Sequence, residues 1–233
     1  MMVLGIGAHP DDLEIICGGT LAKYVKLGHR VVMAYLLNGD KGGYYVSSKK
    51  LAEIRRREAA QAASIIGAES IGLNIPDGQL FSDLKTRKLV MDLIRSVKPD
   101  LIITHAPNDY FSDHTTASEV VCGASFLAAA PLFRTKHPAH NLIPPIYFMD
   151  NVCGVNFLPT FYVDISDTFE IKKKMLSCHK SQLEWLKEHD KVDMLETIKT
   201  VAKFRGLDCK VKYAEGFREY EAWGRRTSRR FLP

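Results

Sequence analysis

The sequence predicts an α/β fold, a mostly parallel sheet with helices on both faces and a C-terminal extension, forming one domain over residues 1–233. Three observations carry this expectation. Near-continuous apolar runs at 2–8, 30–37 and 100–105 suit central parallel strands buried on both faces. Amphipathic helical patterns alternate with those runs, which calls for right-handed crossovers. Loops rich in Gly, Asp and Asn follow the strands, where open α/β sheets bind their ligands.

Taken in order, strand one (2–8) leads through His9-Pro10-Asp11-Asp12 to a helix expected to open near Gly18-Gly19-Thr20 and run to Leu27. Gly28-His29 is its stop, since Gly readily takes the left-handed conformation after a helix. Arg30 to Leu37 is the second strand, and Asn38-Gly39-Asp40-Lys41-Gly42-Gly43-Tyr44-Tyr45 its polar exit loop. Lys50 to Gly67 reads as a helix with Leu51, Ile54, Ala62, Ile65 and Ile66 at helical spacing. A short strand at 70–73, a turn at Pro76-Asp77-Gly78, a helix at 84–98 and a strand at 100–105 follow. The next exit loop carries Asn108-Asp109-Tyr110-Phe111-Ser112-Asp113-His114, with a helix towards Ala130. Beyond 131 the alternation breaks down. Apolar runs at 146–149 and 157–165 and helices at 168–188 and 192–205 precede Val211-Lys212-Tyr213.

Composition narrows the function classes. No apolar run approaches the ~20 residues of a membrane span, and no basic segment precedes the first strand, so neither a membrane partner nor a signal peptide is expected. Five scattered cysteines without CxxC spacing predict free thiols in a reducing, cytoplasmic compartment. The net charge of +5 gathers partly in the tail, at Arg218, Arg225, Arg226, Arg229 and Arg230. With no nucleic-acid motif beside it, this reads as a solvated end or subunit contact, and no nucleic-acid partner is expected. Gly5-Ile6-Gly7 resembles the start of a dinucleotide fingerprint, but Pro10 replaces the third Gly, and Asp11 and Asp12 would repel a pyrophosphate.

The chemistry lies in the exit loops of the first strand and of the strand at 100–105. Each carries His and Asp, and parallel topology brings both loops to one sheet edge. Each has a plainer explanation alone: Asp at a helix start commonly caps amides, and an Asp-His pair after a strand is commonly a turn. Together, His9, Asp12 and His114 make a three-ligand His-Asp-His set with an open fourth position, the pattern of a catalytic zinc site. Asp11, between two ligands, is placed to take a proton from a metal-activated water.

Ala8-His9-Pro10-Asp11-Asp12-Leu13-Glu14 resembles the signature of the LmbE-like/PIG-L family of zinc-dependent N-acetylglucosaminyl deacetylases. Arg55-x-x-Glu58, Pro76-Asp77-Gly78, Asn108-Asp109, Asp113-His114, His179-x-Ser181-Gln182 and Tyr213-Ala214-Glu215-Gly216-Phe217 continue the likeness in family order. The resemblance implies a Rossmann-like fold, a small-molecule amino-sugar substrate, and release of acetate and a free amine. It implies Zn2+ held by His9, Asp12 and His114, with Fe2+ or another divalent ion also open. Asp11 would be the general base, Asp113 a supporting carboxylate for His114 or a neighbouring group, and Arg55 and Asp77 substrate contacts. Arg55 also reads as part of a basic helix face with Arg56 and Arg57, and Asp77 as a turn former. Family members often form homo-oligomers, a state this sequence leaves open.

One departure stands out: Phe111 occupies the place of a family histidine, and Phe neither gives nor takes a proton. Asp11 alone, His105 or Tyr110 are the candidates to take over, and Tyr110 is also a candidate substrate contact. Some relatives place a further histidine near the C-terminus, and none follows His189 here. Two other readings follow, a metal-containing sugar-binding or assembly protein with weakened hydrolysis, and an amidohydrolase of a non-sugar amide.

Overall fold

A computed structural model describes residues 1–223, 225 and 231–233. Its elements run β1 (Met2–Gly7), α1 (Asp12–Lys26), β2 (Arg30–Leu37), α2 (Ser48–Ile65), β3 (Glu69–Ile75), α3 (Leu84–Val97) and β4 (Leu101–Thr104). They continue α4 (Ser112–Leu127), β5 (Ile146–Met149), β6 (Phe161–Asp164), α5 (Phe169–Leu176), α6 (Lys180–His189), α7 (Met194–Cys209) and β7 (Ala214–Glu219). The strands form one sheet in the order β3-β2-β1-β4-β5-β7-β6. The first five are parallel, and β7 runs antiparallel between β5 and β6. The expected α/β class with a C-terminal extension is what the chain forms.

Strand alternation builds a core on each face of the sheet. Val3, Val31, Met33, Leu101 and Ile103 pack towards α1, α2, α5 and α7. Leu4, Ile6, Val32, Ala34 and Ile102 pack towards α3 and α4. The chain winds outward from β1 to β3, then crosses back to β4 on β1's other side. β1 and β4 are thus parallel neighbours, with Ile6 beside Thr104, and their exit loops diverge where the winding reverses.

The first helix departs from expectation. It starts at Asp12, directly from the His-Asp turn, and is broken at Cys17 (φ −130°, ψ 15°). The Gly18-Gly19-Thr20 stretch marks the restart after this break. The amides of Gly19 and Thr20 donate to the buried Glu215 carboxylate at 3.0 and 2.7 Å, and Thr20 Oγ1 donates to it as well. Lys172 Nζ donates to Glu215 at 2.5 Å and to the Ile16 carbonyl at 3.4 Å. An apolar period alone could not show a helix whose interior amides are satisfied from β7.

Two smaller corrections concern the second half. The stretch at 168–188 is two helices, α5 and α6, parted at 177–179. Arg225 does not belong to a solvated tail: it is buried, and its guanidinium donates to the carbonyls of Pro144 and Cys122 and to Ser125 Oγ. Arg226, Arg229 and Arg230 lie outside the described residues. Among the described residues no helix is long and apolar enough to cross a membrane.

Candidate metal centre

The β1 exit is a tight turn. The amides of Asp11 and Asp12 both donate to the His9 carbonyl, and the His9 amide donates to Asp12 Oδ2 at 2.6 Å. Asp11 pays for this turn with a backbone at φ 154°, ψ −19°, a region that costs about 1–3 kcal/mol for a non-glycine residue and recurs at functional sites. It occupies the N-cap of α1 yet makes no capping hydrogen bond. The capping explanation for this carboxylate therefore fails.

His9, Asp12 and His114 each bring a ligand atom to one place, all within 4.8 Å of one another. The surrounding contacts decide which atoms face inward. His9 Nε2 lies 3.3 Å from Asp113 Oδ2, leaving Nδ1 on the Asp12 side at 3.6 Å. His114 Nδ1 lies 2.9 Å from Asp109 Oδ2, leaving Nε2 towards Asp12 Oδ1 at 3.3 Å. Each imidazole thus has one nitrogen engaged by an outer carboxylate and the other turned to Asp12. That arrangement fixes the tautomer a metal needs, with the lone pair facing inward. The expected supporting carboxylate, Asp113, holds His9, while Asp109 holds His114.

Charge agrees with geometry. Burial works against a charged His9, but hydrogen bonds to Asp113 and Asp12 outweigh it and raise its pKa to about 10. For His114 burial is likewise outweighed, by Asp12 and Asp109, and its pKa rises to about 9. The carboxylates around these rings favour added positive charge, which a divalent cation supplies in one ion. Two imidazole nitrogens and one carboxylate oxygen suit Zn2+ or Fe2+.

A cavity of about 270 Å3 opens above this set, lined among others by Asp11, Arg55, Asp77, Phe111 and Gln182. Asp11 has its pKa raised to about 6, by burial first and against the field of Arg55. Arg55 is buried, and its Nε and Nη2 have no hydrogen-bond partner among the described residues. It is therefore no part of the exposed basic face of α2. Asp77 reaches the cavity and also braces the loop after β2, accepting from the Gly39 amide at 2.8 Å.

Neither candidate to replace a histidine at 111 lines the cavity, although His105 Nε2 lies 3.1 Å from Asp12 Oδ2. His105 is buried beneath the set, stacked 3.9 Å from His114, and its Nε2 accepts from the Ala8 amide. Burial lowers its pKa to about 4. Tyr110 is half-exposed against Phe111 and does not line the cavity. Sequence reasoning assigned no role to Asp109, Glu14 or His179. His179 Nε2 sits 3.1 Å from Glu14 Oε1, which accepts from Tyr35 Oη at 2.8 Å, all three buried behind Asp11. A charged Glu14 inside the apolar stretch Leu13-Glu14-Ile15-Ile16 was the available signal.

A metal-fitted His-Asp-His set at the β1/β4 switch point of this sheet defines a class, and the comparisons agree. The PIG-L family, described as GlcNAc-PI de-N-acetylase, matches residues 4–125. The chain belongs to the PIG-L/LmbE-like deacetylase family. Among its relatives, the diacetylchitobiose deacetylase of Thermococcus kodakarensis is 30% identical over 93% of this chain and 82% of its own. The structure of the N,N'-diacetylchitobiose deacetylase from Pyrococcus horikoshii, complexed with its inhibitor MPG, superposes with a TM-score of 0.82 at 28% identity. It covers 94% of this chain and 83% of that one. The 4-oxalmesaconate hydratase of Pseudomonas putida is 26% identical over 91% of this chain and 86% of its own, so the family also holds hydratases.

Proposed function

We propose that this protein is a zinc-dependent N-deacetylase of an N-acetylglucosamine-type amino sugar or conjugate. The observation that carries this reading is the pair of oriented imidazoles, each braced by an outer carboxylate and turned to Asp12. His9, Asp12 and His114 would hold the metal, which when bound supplies Lewis acidity that acidifies a water and polarises a carbonyl oxygen.

The chain's own groups do the rest. Asp11 takes the proton of the water that adds to the acetamide carbonyl. The C–N bond then breaks, and the proton held by Asp11 passes to the departing nitrogen, giving acetate and an amine. Arg55, whose Nε and Nη2 are unused among the described residues, binds an oxygen or anionic group of the substrate, and Asp77 accepts from a sugar hydroxyl. Asp113 and Asp109 act through the imidazoles, as positioning residues. Tyr110, which does not line the cavity, is given no role in this reading.

The test is metal content of the purified protein together with amine release from N-acetylglucosamine conjugates, with and without chelator. About one zinc per chain and chelator-sensitive release are expected. A loaded protein silent across a broad amide panel would sink the reading.

The buried Arg55, with Nε and Nη2 unpartnered among the described residues, favours a second reading, since its fork of donors also suits a substrate carboxylate. The hydratase relative supports it. Loss of ultraviolet absorbance from a conjugated dicarboxylate, without amine release, would establish hydration instead.

A further inference from the structure

Beside the metal cavity lies a second hollow of about 190 Å3, outside the machinery described above. The two share Gly42 in their walls. A Cβ built on Gly42 would stand 3.4 Å from Cδ1 and Nε1 of Trp185 and 3.5 Å from Gln182 Oε1. Gly42 thus leaves this junction between the hollows free of a side chain of its own. Gln182 Oε1, at this partition, is buried and accepts no hydrogen bond among the described residues. It offers an unused acceptor to anything lying across the junction.

The second hollow is aromatic and acidic. Trp185 meets Tyr44 at 4.5 Å (ring centroids, 48° between planes) and His189 at 4.4 Å (15°). Tyr44 and His189 are 6.2 Å apart, so their directions from Trp185 are roughly perpendicular. His189 stacks on the indole and Tyr44 meets it at a tilt from another side. Tyr45, 82% exposed, donates to Glu188 Oε1 at 2.6 Å. Glu184 and Glu188 are the charged side chains of the lining, and neither forms an ion pair among the described residues. In a chain of net charge +5 this is a local reversal of sign.

Aromatic faces with unpaired carboxylates recognise a body with an apolar ring face and a positive charge. We propose that this hollow is a second subsite, which takes a hexosamine ring bearing a free ammonium group, joined to the ring whose acetamide reaches the metal cavity. This rests on the amino-sugar reading above and narrows it to substrates of at least two sugar rings. The hollow admits one ring, which leans on Trp185 and Tyr44. Its ammonium faces Glu184 and Glu188, and a hydroxyl near the linkage donates to Gln182.

The chain has two tryptophans, and Trp223 is 88% exposed. In a Trp223→Phe protein, Trp185 alone reports binding, with no turnover required. The zinc-loaded protein is titrated with chitobiose (two glucosamine rings without acetyl groups) and with cellobiose, the same skeleton without amines. A saturable change in Trp185 fluorescence is expected, with chitobiose at least about tenfold tighter than cellobiose. The paired change Glu184→Gln, Glu188→Gln should remove that preference while metal content and circular dichroism stay as in the parent. Equal binding of both disaccharides, or a preference that survives the paired change, overturns the proposal. So does a silent Trp185 in protein that deacetylates N-acetylglucosamine, which leaves the deacetylase reading standing. A responsive Trp185 in protein that never releases amine upholds the subsite and overturns deacetylation alone.

Discussion

At the scale of single residues, three side chains carry separable predictions. Asp11 makes no hydrogen bond with its carboxylate among the described residues and faces the cavity, so its loss should spare the metal and remove the proton transfer. Asp11→Ala should keep about one zinc per chain and lose roughly 10²–10⁴ of the turnover, the usual worth of a positioned acid–base group. Full activity in that variant would sink its role. Asp109 should show the opposite pattern, because it holds His114 Nδ1 without touching substrate. Asp109→Ala should weaken zinc affinity by about 10–100-fold, read by competition with a chelating indicator. Phe111 lies beside His114, with ring centroids 5.1 Å apart, and lines the cavity. A histidine there would regain a proton-handling group, so Phe111→His should raise amine release by at least about tenfold. Zero turnover before and after would favour the sugar-binding alternative. That His9, Asp12 and His114 come together was legible because His and Asp follow the ends of two strands, and parallel topology brings such loops to one sheet edge. The division of labour between Asp109 and Asp113 was not, since both lie in one loop and only their approach directions differ.

At the scale of elements, α1 is the informative case. Its start was misread because Gly18-Gly19 suggests a helix boundary to any local rule. In fact a boundary is there, a break inside the helix that a buried carboxylate repairs from 195 residues away. Removing one partner of the Lys172–Glu215 pair leaves a charge buried without compensation, a change that costs about 3–5 kcal/mol. Glu215→Ala should therefore lower stability to denaturant by that amount, with the midpoint as the measurement. A loss below about 1 kcal/mol would mean that water reaches Lys172 in the variant. The first four strands, by contrast, were read to within about two residues, whereas the run at 157–165 is a strand only over Phe161–Asp164 and β7 begins beyond Val211-Lys212-Tyr213. Runs such as Val31-Val32-Met33-Ala34-Tyr35-Leu36-Leu37 are buried on both faces and allow few other placements.

At the scale of the whole molecule, the site is a product of winding order. β1 and β4 are neighbours because the chain reverses direction across β1, and that reversal sets His9 and Asp12 beside His114. Strand–helix alternation in the first half made this legible. The second half was less so, since β7 enters the sheet antiparallel between two earlier strands, a pairing that depends on contacts far apart in sequence. The hollow around Trp185 escaped for the same reason: Tyr44 and Trp185 lie on separate elements, and only tertiary structure brings them together.

The placement of Glu215 also has a bearing on how the protein is made. The turn that carries His9 and Asp12 leaves the ribosome with β1, well before β7, whose carboxylate steadies the helix behind it. A nascent chain therefore displays its metal-binding motif long before it can hold that motif still. On the proposed reading, firm capture of a metal would wait for β7, and a chain stalled short of it would carry His9, Asp12 and His114 without that brace.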